Sequence, residues 1–185
     1  MRVAKTDFKK SLILARKVSE PWFRCQALAG TARYAPEEDV VQIAEEAIAA
    51  SLTETEPYMR VAATAWPFRA LIERNQEQKA IQLLPKILAL SSQIENPKGR
   101  SDALFMLWEA FFPSRGHESI LAALIASCTG HSKAGYVLRR VVLILASEDI
   151  DEARKLASSM PEGNYKRQAE RRLAEGQKEQ VWKFF

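Results

Sequence analysis

A seven-residue phrase recurs through the first hundred residues. Pro21-Trp22-Phe23-Arg24-Cys25-Gln26-Ala27 is followed by Pro57-Tyr58-Met59-Arg60-Val61-Ala62-Ala63 and by Pro97-Lys98-Gly99-Arg100-Ser101-Asp102-Ala103, with starts 36 and 40 residues apart. Glu20, Glu56 or Asn96 precedes each proline. Proline suits the first position of a helix, where its missing N–H has no intrahelical acceptor. Arginine three residues on and alanine three beyond it fall on one face. A unit of this length repeated in tandem cannot bury its apolar face alone, so successive copies must stack. Fainter copies start near Lys133, with Tyr136 in the arginine place, and near Asn164, with Arg167 there; both lack the proline.

Between these marks the apolar residues recur at steps of three and four. In Val40, Val41, Ile43, Ala44, Ala47, Ile48 and Ala50 they form one face of a helix, which Pro36 and the acidic Glu37, Glu38 and Asp39 start cleanly. The same reading predicts helices over 6–19, 21–34, 36–52, 57–74, 77–94, 97–112, 116–128, 133–146, 149–159, 162–175 and 178–185. Links of a few residues force neighbouring helices to run antiparallel. The expected fold is all-α, a right-handed α-α superhelix of about five stacked antiparallel helix hairpins, in one helical-repeat domain spanning 1–185. Pro67 and Pro85 are expected to kink or break the helices that contain them, or else to end them at Trp66 and Leu84. Ala27, Ala29, Ala63 and Ala103 read as packing residues that admit a close neighbour. The repeated arginines either form a ladder with acidic groups of the preceding helix or line a binding surface.

This pattern resembles the helical-repeat proteins of the tetratricopeptide and HEAT-like kind, and the resemblance covers nearly the whole chain. It is architectural, because Trp22, Leu28, Gly30 and Tyr34 have the tetratricopeptide residue types at a different spacing. The resemblance implies non-catalytic binding of a protein or peptide on the concave face of the stack.

Composition narrows the alternatives. With 47% apolar and 27% charged residues the chain has the make-up of a folded globular protein. Its apolar runs, Val141 to Ala146 among them, fall far short of the roughly 18 residues that cross a bilayer. Basic residues near Met1 are followed by too few apolar ones for a secretion signal, so a cytoplasmic location is expected. Cys25 and Cys128 lie far apart within apolar helical stretches and read as buried thiols.

No catalytic constellation is visible. Neither His117 nor His131 belongs to a His-Glu-x-x-His motif, and the trio His117, Cys128 and His131 is the one cluster to weigh for zinc, short of a further cysteine. The seven glycines form no phosphate-cradling loop. Adjacent carboxylates such as Glu45 and Glu46 diverge on a helix. No metal, cofactor or membrane is expected, and catalysis stands only as a third reading that no motif announces.

Charge is unevenly spread. Residues 1–19 carry a net of +5 and residues 20–60 a net of −5, while the total is +4. Arg139, Arg140, Arg154, Lys155, Lys166, Arg167, Arg171 and Arg172 gather in the last third, with Tyr136, Tyr165 and Trp182 available to stack on bases. Nucleic-acid binding through a basic groove is therefore the alternative function, although Glu148, Asp149, Asp151, Glu152, Glu162 and Glu170 interrupt the series. The candidate binding residues are Arg139, Arg140, Arg167, Arg171, Arg172 and Trp182. The apolar end, Val181 to Phe185, is expected either to cap the last hairpin or to dock on another chain.

Overall fold

The computed structural model describes residues 2–129, 131 and 135–185. Among them all regular structure is α-helical: α1 Arg2–Thr6, α2 Phe8–Arg16, α3 Pro21–Ala32, α4 Glu37–Ser51, α5 Pro57–Ala63, α6 Ala65–Glu73, α7 Glu77–Ser91, α8 Pro97–Phe111, α9 His117–Cys128, α10 Gly135–Leu145, α11 Ile150–Ser159 and α12 Asn164–Ala174. None is long and apolar enough to cross a membrane.

Local chemistry explains the boundaries. Asp7 ends α1 and caps α2, its carboxylate accepting the Lys10 N–H at 2.9 Å, which divides the helix predicted over 6–19. Asn96 caps α8 by accepting from Lys98 and Gly99, and Asp149 caps α11 by accepting from Asp151 and Glu152. The prolines of the repeated phrase stand at the starts of α3, α5 and α8. The copy placed near Lys133 starts outside the described residues, and α10 is described from Gly135 onward.

The helices that open with the phrase pack on one another in chain order. α3 lies against α5 and α6, both of these against α8, α8 against α10, and α10 against α12. The intervening helices fill the outside: α4 packs on α3, α5 and α6; α7 on α5, α6 and α8; α9 on α8 and α10; α11 on α10 and α12. Fully buried alanines, Ala29, Ala62, Ala63 and Ala103 among them, keep the backbones of this central row close. One continuous apolar core runs from Ala15 to Phe184, with Trp108, Phe68 and Phe111 its largest wholly buried side chains.

Arg60 and Arg100, two of the repeated arginines, bind main-chain carbonyls rather than an acidic ladder or an open surface. Arg60 donates from Nε to the Glu54 carbonyl at 2.5 Å and from Nη2 to the Thr55 carbonyl at 3.0 Å. Arg100 does the same to Ile94 at 2.9 Å and Ser92 at 3.2 Å. Each guanidinium thus satisfies main-chain carbonyls in the link just after the preceding helix, α4 or α7, and fixes how the chain turns into the next phrase.

The two internal prolines act differently. The helix predicted over 57–74 breaks at Thr64, three residues before Pro67. Pro67 cannot donate to the carbonyl four residues back, that of Ala63, and the buried Cys25 thiol donates to it instead at 3.3 Å. Pro85, in contrast, is accommodated inside α7, which stays continuous from Glu77 to Ser91. The third departure from expectation is at 178–185, which is extended rather than helical.

Candidate peptide-binding face

The segment 177–185 owes its course to the end of α12. Gly176, at φ 70°, donates to Leu173, and Gln177 donates to Arg172, which closes the helix with a left-handed glycine and reverses the chain. From there the chain runs back over the central row of helices in the order α10, α8, α6 and the end of α3. Glu179 and Val181 are half-buried and Phe184 is buried, whereas Lys178, Gln180, Trp182 and Lys183 face solvent.

Its main chain is held by other helices. The Glu179 N–H donates to the Leu143 carbonyl of α10 at 3.0 Å. Three residues on, the Trp182 N–H donates to the Glu109 carboxylate of α8 at 3.1 Å. Two residues further, the Phe184 carbonyl accepts from the Trp66 indole of α6 at 3.1 Å.

Side chains add to this grip. The Glu179 carboxylate accepts from Arg140 Nε at 3.0 Å and from Arg172 Nη1 at 3.4 Å. The Phe184 ring stands edge-on to Trp66 at 5.6 Å, and Trp66 meets Trp22 in the same way at 5.5 Å. Arg33, just past α3, lies over the Phe185 ring at 4.9 Å.

At the centre is Glu109, a carboxylate only 3% exposed. Burial pushes its pKa up to about 7, against the opposing pull of Arg140 and the Trp182 N–H and with a further push from Glu179. Arg140 bridges the two acids, reaching Glu109 at 3.4 Å while its guanidinium covers the Phe105 ring at 4.6 Å. The arrangement holds this segment through both main-chain and side-chain contacts.

Of the residues named from sequence, Arg140, Arg172 and Trp182 come together here. Trp182 takes part through its amide, while its indole is 62% exposed. Arg139 donates to Gln168 at 2.8 Å, Arg171 lies 3.9 Å from Glu175, and Arg167 is exposed on α12. Sequence reasoning missed Glu109, Trp66, Trp22 and Arg33. A lone acid inside Leu104-Phe105-Met106-Leu107-Trp108-Glu109-Ala110-Phe111-Phe112 was the available signal, since an unpaired buried carboxylate is costly.

The trio weighed for zinc is otherwise engaged or apart. His117 Nδ1 lies 2.6 Å from the Ser114 carbonyl and its ring is edge-on to Trp108 and Phe112, Cys128 is buried at the end of α9, and His131 is exposed. Among the described residues no group of three His, Cys, Asp or Glu side chains is placed to hold a metal ion. No family model, curated protein or solved structure matches the chain.

Proposed function

We propose that the chain is a non-catalytic module that binds a protein or peptide segment in extended form, a short right-handed α-solenoid of tetratricopeptide or HEAT-like kind with about five hairpins. The observation that carries this reading is the segment 177–185, an extended peptide lying across the central row of helices and held by Leu143, Glu109 and Trp66. A face that holds one extended chain through main-chain hydrogen bonds and an aromatic pocket has the means to hold another.

Nucleic-acid binding finds less support. Arg140 and Arg172, the two candidate arginines that reach the segment, are already paired with Glu179. Panning a random peptide library on the immobilised full chain tests the proposal, with photo-crosslinking to locate the bound peptide. Enrichment of peptides that crosslink to α6, α8 or α10 supports it. No enrichment, together with nucleic-acid binding that falls steeply between about 50 and 200 mM salt, would replace it with the nucleic-acid reading.

A further inference from the structure

We propose that 177–185 is a displaceable internal ligand, and that the external ligand of this face is an extended acidic–aromatic peptide: a carboxylate, then an aromatic residue five positions later. The inference rests on the peptide-binding reading and specifies its ligand.

The register comes from the contacts. Taking Glu179 as the first position, its carboxylate is held by Arg140 and Arg172. The third residue, Val181, is half-buried, and the fourth, Trp182, contributes only its N–H, to Glu109. The sixth, Phe184, places its ring against Trp66 and its carbonyl on the Trp66 indole, and the seventh, Phe185, is an aromatic ring under Arg33. Positions two, four and five, Gln180, Trp182 and Lys183, present exposed side chains and leave sequence free there.

Displacement is feasible because nothing within the segment fixes its shape. It forms no helix, and the main-chain hydrogen bonds made by Glu179, Trp182 and Phe184 all go to groups on α10, α8 and α6, which any peptide backbone in the same register can reproduce. The short tether from Gly176 gives the segment an effective concentration of order millimolar, so an external peptide of equal intrinsic affinity meets a largely occupied face. Weakening the internal ligand should therefore strengthen the external one.

The test uses a fluorescein-labelled peptide of the sequence Gln-Lys-Glu-Gln-Val-Trp-Lys-Phe-Phe, titrated into the full chain and into the full-length variant carrying Glu179→Arg and Phe184→Asp. At least about tenfold tighter binding to the variant is expected. A peptide with its glutamate changed to lysine, or its first phenylalanine to aspartate, should lose that gain. Equal binding to both proteins, with the variant's helical circular dichroism intact, would overturn the proposal.

A second measurement needs no variant. Saturating the ¹⁵N-labelled wild-type chain with unlabelled peptide should speed hydrogen exchange at its own Trp182 amide, and an unchanged rate under saturation would also overturn the proposal. Library peptides that crosslink to the face without the acidic–aromatic spacing would sink this inference and leave the peptide-binding function standing. Failure of every peptide, on the variant as well, would remove both.

Discussion

The Trp182 N–H donates to a Glu109 carboxylate that is buried in α8 and also held by Arg140, so a main-chain contact of the extended segment is made to a titratable group. Glu109 releases its proton near 7 in the folded chain against an ordinary 4.5. Between these values the folded chain binds more protons than the unfolded one, so stability falls as pH rises from 4.5 to 7 and levels off above. The full effect is about 3 kcal/mol at most. Urea unfolding of wild type and Glu109→Gln at several pH values should show the wild-type advantage shrinking across that window, and a pH-independent difference would contradict the assignment.

Arg60 and Arg100 each satisfy two main-chain carbonyls in the link before their helix. Both are partly exposed, which screens the interaction, so alanine at either site should cost about 1–2 kcal/mol in denaturant unfolding. Lysine should recover little, because one ammonium does not reproduce the fork of the guanidinium. Arg24 stands at the same place in the phrase but makes no such pair of bonds among the described residues, and Arg24→Ala should cost under about 0.5 kcal/mol.

Cys25 and Pro67 are coupled through the Ala63 carbonyl. Removing the wholly buried thiol in Cys25→Ala should cost about 1–3 kcal/mol, from lost packing and an unpartnered acceptor. In a Pro67→Ala background the restored N–H at position 67 can serve that carbonyl, so the cost of Cys25→Ala should drop. A double-mutant cycle by denaturant unfolding measures the difference, and strict additivity would show the two sites to be independent.

Gly176 occupies a left-handed conformation that turns the chain out of α12 toward the face. A Cβ there meets no neighbour, so the strain is purely of the backbone. Gly176→Ala should cost about 1 kcal/mol, and Gly176→Asn less, as read from thermal or denaturant midpoints.

Much of the helical order is legible in the sequence because it is written locally. The repeated prolines mark the starts of α3, α5 and α8, and the step of three and four marks the faces of α4 and α7. Breaks that depend on a distant partner are harder to foresee. Whether a helix breaks near Pro67 or runs through Pro85 depends on tertiary context, in the first case including a thiol 38 residues away in sequence that takes up the stranded carbonyl. The extended course of 177–185 is illegible for the same reason: the polar and apolar residues suit a short helix, yet the main-chain partners lie on α6, α8 and α10. The candidate arginines stand out by charge alone, and only Arg140 and Arg172 reach the segment.

Hydrogen exchange of individual amides in the full chain tests most directly whether the central row of helices holds an extended peptide. Glu179 and Trp182, bonded to Leu143 and Glu109, should exchange well below the rate of an unstructured chain, while the neighbouring Lys178 and Lys183, both exposed, should exchange faster. Unprotected exchange at both Glu179 and Trp182 in the folded protein would contradict the occupied face and, with it, the peptide-binding account.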